Sequence, residues 1–174
     1  LEKNVNSRSR LTYATHTAPV TCVLVLGGTH CIMSASMDGA IHVWGLNVSL
    51  GPSLPRYAKP HILGKHTRTG DYVRCMAQWS SGTDPVVVLG TSRGQIVFWD
   101  VRHMREIDTL SHPAAHGSIE ALALDPQRHW LCAGTSNGHV ALWDTRFHVR
   151  LQTWQTSNNS RIRSCALHHT RKDV

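Results

Sequence analysis

Ala35-Ser36-Met37-Asp38-Gly39-Ala40-Ile41-His42-Val43-Trp44-Gly45 is one of three versions of a single phrase in this chain. The second runs Gly90-Thr91-Ser92-Arg93-Gly94-Gln95-Ile96-Val97-Phe98-Trp99-Asp100, and the third Gly134-Thr135-Ser136-Asn137-Gly138-His139-Val140-Ala141-Leu142-Trp143-Asp144. Each copy places a Gly five residues before its Trp and a Ser or Thr eight before it, and the Trp-to-Trp spacings are 55 and 44 residues. Ser36, Thr91 and Thr135 follow apolar runs (Cys31-Ile32-Met33, Val86 to Leu89, Trp130-Leu131-Cys132), as strand ends do. Gly39, Gly94 and Gly138 supply the positive φ of a tight turn. Beyond the turn, Ile41 and Val43, Ile96 and Phe98, Val140 and Leu142 alternate as strand residues should, so each phrase is predicted to be a β-hairpin.

A further apolar strand precedes each hairpin: Val20 to Leu26, Val73 to Trp79, and Ile119 to Leu124. Outermost strands are expected ahead of these, around Arg10-Leu11-Thr12-Tyr13, Pro60 to Leu63, and Glu106 to Leu110. A small-polar-Gly turn and a terminal Trp-Asp, repeating every ~40–45 residues, mark WD-repeat propeller blades. The expected fold is therefore all-β, a partial WD-repeat β-propeller with three complete four-stranded repeats and the first half of a fourth. The repeats are placed at about 9–45, 57–100, 104–144 and an incomplete 150–174. Leu151 to Trp154 and Ile162 to Leu167 are the strands expected of the last. A propeller closes with about 4–8 blades, and the chain starts without Met, so it reads as a fragment of a longer polypeptide. The Pro-, Gly- and Ser-rich stretch from Gly45 to Pro60 reads as a loop and accounts for the longer Trp spacing.

A buried indole needs a partner for its N–H, and a nearby Ser or Thr hydroxyl can provide one. The expected structural network takes in Ser36, Asp38, Trp44, Thr91, Trp99, Thr135 and Trp143, with His16, His66 and either His112 or His116 suitably placed to join. The acid six residues before Trp is present as Asp38 but replaced by Arg93 and Asn137, so the network is expected whole in the first repeat and weakened in the others. His42 and His139 are expected to point outward from their strands.

Little else points to chemistry. There is no G-x-S-x-G elbow, phosphate-cradling Gly loop or H-E-x-x-H pair, so no catalytic residue, cofactor or metal is expected. The five cysteines form no C-x-x-C pair and read as free thiols packed in strands, which fits a reducing, intracellular compartment. No apolar run approaches the ~18 residues of a membrane span, and no signal peptide is legible. Asn47-Val48-Ser49 and Asn158-Asn159-Ser160 are taken as chance acceptor triplets. The net charge of +7 is scattered, densest at Arg102/His103/Arg105 and at Arg161/Arg163/Arg171/Lys172. Aromatics do not interleave with these groups, so nucleic acid is not an expected partner.

Trp99-Asp100-Val101-Arg102 and Trp143-Asp144-Thr145-Arg146 make two W-D-x-R endings in consecutive repeats. They resemble the short motif of WD-repeat substrate receptors in cullin-RING ubiquitin ligases, which implies Arg102 and Arg146 as partner contacts on the rim. A longer string runs from Trp130-Leu131-Cys132 through Gly134-Thr135-Ser136 to Trp143-Asp144-Thr145-Arg146-Phe147, then Arg161-Ile162-Arg163 and His168. With Leu11-Thr12-Tyr13 and Gly94 to Arg102, it resembles the C-terminal propeller of the regulatory, protein-kinase-like subunit of the class III phosphatidylinositol 3-kinase complex. The likeness covers Leu11 to His169. It departs at His168-His169-Thr170, where the family often has His-Pro, and from Val48 to Thr69.

That second resemblance implies a scaffold acting in autophagy and endosomal or vacuolar sorting. The parent would carry an upstream serine/threonine-kinase-like domain, and the partners would be the lipid kinase and coiled-coil regulatory subunits. The protein would be cytoplasmic, reaching endosomal or autophagic membranes only through the parent complex. A ubiquitin-ligase substrate receptor is the alternative.

Overall fold

The computed structural model describes residues 14–29, 31–45, 61–79 and 85–167. Among these described residues twelve strands run in chain order: β1 (Val20–Leu26), β2 (Cys31–Ser36), β3 (Ala40–Gly45), β4 (His61–Thr67), β5 (Val73–Gln78), β6 (Val86–Thr91), β7 (Gln95–Asp100), β8 (Arg105–Ser111), β9 (Ile119–Leu124), β10 (Trp130–Thr135), β11 (His139–Asp144) and β12 (Val149–Gln155). One 3₁₀ turn, Ala114–His116, precedes β9. The strands form three four-stranded sheets, β1-β2-β3-β4, β5-β6-β7-β8 and β9-β10-β11-β12, each paired antiparallel in sequence order. These are three successive propeller blades. For the first strand of the chain, around Arg10 to Tyr13, the expectation falls outside the described residues.

The sheets are out of phase with the sequence repeats. A repeat read from the sequence begins with an outer strand, but that strand pairs with the preceding hairpin: β4 closes the first sheet, β8 the second and β12 the third. Leu151 to Trp154, expected to open a fourth repeat, therefore belongs to the third sheet. Ile162 to Leu167 forms no ladder among the described residues. It lies across β10 instead. The Ile162 N–H donates to the Thr135 carbonyl at 3.0 Å, and a Cβ placed on Gly134 would meet Ile162 Cγ2 at 2.4 Å. Ile119 covers Gly90 in the same way, with Cγ2 at 2.6 Å. The segment thus occupies on the third sheet the place that β9 occupies on the second.

Apolar faces meet between sheets, so the core is a pair of layers. Leu26, Met33, Ile41 and Val43 pack on Val73, Val87, Leu89, Val97 and Trp99 between the first two sheets. Val88, Ile96, Phe98 and Leu110 pack on Ile119, Leu131, Ala141 and Trp143 between the next two. Trp44, Trp99 and Trp143 face Ile32, Val87 and Leu131 at one equivalent register, with relative exposures of 2, 0 and 6 %. Each Val, Leu, Ile, Met or Phe side chain in these layers contributes roughly 1.5–3 kcal/mol when fully buried. The pairing register shifts beside every one of these Trp residues, leaving Leu63, Ile107 and Leu151 as the bulged residues of the outer strands.

Gly39 shows why the turn needs glycine: its φ is +79°, and a Cβ there would come within 2.3 Å of the Arg68 carbonyl oxygen. The five cysteines are half-buried free thiols, and burial pushes Cys22 up to about 11 and Cys75 up to about 12.

Candidate partner-contact face

In the first blade the Trp44 indole N–H donates to Ser34 Oγ at 2.8 Å, and His16 Nε2 sits 2.8 Å from the same oxygen. His16 Nδ1 lies 3.6 Å from Asp38 Oδ2. Asp38 in turn accepts the Thr17 N–H and the Ala40 N–H, each at 2.8 Å, and the Thr17 hydroxyl at 3.1 Å. Burial works to raise the Asp38 carboxyl, but these bonds, with one to Ser36, outweigh it and hold it well below the usual carboxylate range. The chain Trp44–Ser34–His16–Asp38 ties the third strand to the turn and to the segment before β1.

Two expectations are corrected here. The indole partner is Ser34, two residues before Ser36. The Ser36 hydroxyl instead donates to the Ala18 carbonyl at 2.9 Å and accepts the Asp38 N–H at 3.3 Å. Thr91 and Thr135 serve their turns likewise: Thr91 Oγ1 accepts from Gln95 N at 3.2 Å and Thr135 Oγ1 from His139 N at 3.1 Å. Nor does His42 point outward. It is 1 % exposed, stacked on His16 at 4.3 Å and bonded through Nδ1 to Thr15 Oγ1 at 3.1 Å. A middle strand of a blade is covered on both faces, so alternation does not expose one set. His66 falls in β4 opposite Ile41, and its side chain lies outside the described residues.

Leu89 and Ala133 occupy the register of Ser34 in the other blades, so neither repeats the hydroxyl. The Trp143 indole N–H has no hydrogen-bond partner among the described residues. What replaces the network differs between the two. In the second blade Asp71, which the sequence reading did not single out, takes over the role of Asp38. Its Oδ1 accepts Ser92 Oγ at 2.7 Å, Tyr72 N at 2.9 Å and Arg93 N at 3.2 Å. In the third, His112 meets the Trp143 ring edge-on at 5.6 Å and His116 Nδ1 at 3.1 Å, while His116 stacks on His139 at 3.8 Å. Both histidines left open by the sequence are therefore engaged. Burial, then the neighbouring His116, Arg150 and His139, depresses His112 to about 4.

The two W-D-x-R endings are the same backbone turn with different side-chain partners. Asp100 Oδ1 accepts the N–H of Arg102 at 2.8 Å and of His103 at 3.1 Å. Asp144 Oδ1 accepts those of Arg146 at 2.8 Å and Phe147 at 3.2 Å. The Asp after Trp is thus a turn-former. Arg146 folds back on it, with NH2 to Asp144 Oδ2 at 2.7 Å, and this guanidinium pulls the Asp144 carboxyl down to about 2. In the other ending His103 Nδ1 takes Asp100 Oδ2 at 2.8 Å, leaving Arg102 exposed on the rim. Between blades, the inner-strand bulge residues Arg74 and Glu120 pair, with NH2 to Oε2 at 2.8 Å. Among the described residues no three His, Cys, Asp or Glu side chains converge as metal ligands.

Residues 15–174 match the family model described as "Nucleolar protein 10-like, N-terminal domain". Among curated proteins the chain is 34 % identical over 162 residues to the probable serine/threonine-protein kinase vps15 of Dictyostelium discoideum. It is 29 % identical over 160 residues to the serine/threonine-protein kinase VPS15 of Arabidopsis thaliana. These matches take in 91 and 89 % of this chain but only 8 and 11 % of the relatives, so the chain spans about a tenth of their length. Among solved structures, U3-55K superposes with a TM-score of 0.66 at 20 % identity, covering 82 % of this chain and 41 % of that one. The computationally designed Ika4 protein gives 0.65 at 18 %, covering 90 and 84 %. At such identities these two likenesses speak to fold alone.

Proposed function

We propose, on the premise that this chain belongs to the nucleolar protein 10-like N-terminal-domain family of β-propellers, that it is the scaffolding propeller of a regulatory, protein-kinase-like subunit in a class III phosphatidylinositol 3-kinase complex. The carrying observation is similarity over about nine-tenths of the chain to proteins named as VPS15 kinases in several organisms. In this reading the blades hold the lipid kinase and its coiled-coil regulatory subunits. The protein works in the cytoplasm, on endosomal and autophagic membranes through the parent complex, in autophagy and vacuolar sorting.

The ubiquitin-ligase reading rested on two arginines projecting from the rim. Arg146, though still exposed, is already paired with Asp144, so of the two only Arg102 offers a guanidinium unpaired among the described residues for such a contact. The test is affinity purification of the full-length parent. Wild type is expected to bring down a phosphatidylinositol 3-kinase with coiled-coil partners. The Arg102→Glu, Arg146→Glu double variant is expected to retain most of that complex, because rim charges act on association rate more than on the bound state. Recovery of a cullin adaptor without lipid kinase would overturn the proposal.

A further inference from the structure

Between the first two blades lies an open polar cleft of about 280 Å³ lined by Arg68, Thr69, Asp71, Arg93, Gln95 and Glu106. Its acidic groups are already committed. Asp71 accepts from Ser92, Tyr72 and the Arg93 backbone, and its Oδ2 takes Arg68 NH2 at 3.3 Å. Glu106 Oε1 pairs with Arg68 NH1. Arg68 also donates to Gln95 Oε1 at 2.9 Å. A guanidinium can only donate, so the Gln95 atom facing it is the carbonyl oxygen, and the amide NH₂ is what Gln95 has left to offer. Thr69 adds a hydroxyl. The uncommitted donor-only groups of the cleft are therefore Arg93 and the Gln95 amide, while the Thr69 hydroxyl can donate or accept.

Arg93 is the principal one. It stands at the turn position where Asp38 binds Thr17 and Asn137 Nδ2 binds the Ala115 carbonyl at 2.9 Å. With Asp71 performing that task, the Arg93 side chain is released from it and exposed. Its NH2 rests over Gly70, 3.1 Å from where a Cβ would be, so the missing side chain gives the guanidinium its seat.

We propose that this cleft binds a carboxylate side chain of an acidic protein segment, with Arg93 as the charged clasp and Gln95 and Thr69 as neutral donors. A guanidinium fork matches a carboxylate in plane and spacing. A phosphate dianion fits less well, because Asp71 and Glu106 line the same space and only one arginine is uncommitted. The inference concerns this chain alone and holds whichever complex the parent enters.

The test is fluorescence anisotropy of labelled hexaglutamate titrated with the full-length parent protein, with hexaglutamine as the uncharged control. Hexaglutamate is expected to bind and hexaglutamine not to. Arg93→Gln should weaken binding roughly tenfold, the scale of losing one charge-assisted contact, and Arg93→Lys should recover part of it. Arg102→Gln, removing an equal exposed charge elsewhere, should change it less than about twofold. Thermal melts check folding, which Arg93→Gln should leave intact because Asp71 binds the backbone N–H. Equal losses from Arg93→Gln and Arg102→Gln would mean diffuse attraction to a basic protein and would overturn the proposal. So would Arg93-dependent binding that is tighter to a hexaserine peptide with one phosphoserine, or to phosphatidylserine vesicles.

Discussion

Ser34 Oγ stands between the Trp44 indole and the His16 ring, accepting from one and bonded to the other. It is also the hydroxyl that repeat comparison conceals. Ser36, Thr91 and Thr135 recur in step and so draw attention, whereas the register of Ser34 reads Leu89 and Ala133 in its neighbours. Legibility at this scale followed periodicity: the Trp positions, the turn glycines and Asp38 repeat or fit a template. Asp71 does not, because it reaches the second turn from the loop before β5 and its role is fixed only by folding. Ser34→Ala would leave a buried indole N–H and a ring nitrogen without their shared partner. We expect a cost of about 1–3 kcal/mol, read as a lowered urea midpoint, with a change in Trp44 fluorescence. A loss below about 0.5 kcal/mol would mean that water or a repacked side chain takes over.

The segment leading into each blade carries a different device at its junction, and in the third blade that device titrates. His112, His116 and His139 sit together with Arg150 nearby, and no carboxylate is among the groups acting on His112. Because the folded His112 is depressed from 6.5 to about 4, the unfolded chain takes up its proton first as pH falls. The stability of this junction is then fully present above pH 6.5 and is lost progressively toward pH 4. Melting temperature is expected to fall across that window, and His112→Phe, which keeps a ring against Trp143, should flatten the fall. An unchanged slope in the variant would assign the acid sensitivity elsewhere. The sequence marked His112 and His116 as alternatives because a single histidine completes the first network. Their joint use follows from Asn137 and Ala133, which leave the third blade with neither the acid nor the hydroxyl. The strands themselves were legible from alternation and turn residues, but which hairpin an outer strand joins is a matter of hydrogen bonding between distant residues. That is why β4, β8 and β12 fall in the sheet before the repeat whose sequence they open.

The stack of blades has two faces that the internal junctions show should be covered. Val23 shares its register with Met76 and Leu122, which pack against the inter-sheet cores, yet Val23 is 60 % exposed. At the other end Trp154 shares the register of Leu110 and is 45 % exposed against 5 %. Such faces and the sheet edges beside them favour association. Sedimentation velocity of the chain is expected to show concentration-dependent oligomers, reduced by Val23→Lys with Trp154→Lys. A single compact monomer at all concentrations would show these faces to be satisfied. The repeating registers also carry a meaning for ancestry. Trp99 and Trp143 are 44 residues apart, as are Leu110 and Trp154. Each pair occupies one place in the hydrogen-bond ladder. Excising 44 residues beginning anywhere from Asp100 to Arg105 would therefore deliver β12 to the vacancy left by β8, with partners in step. Gene duplication or loss need not respect a blade boundary to yield a foldable product; it need only respect the period, as a frieze can be cut at any point provided the lengths removed are whole motifs.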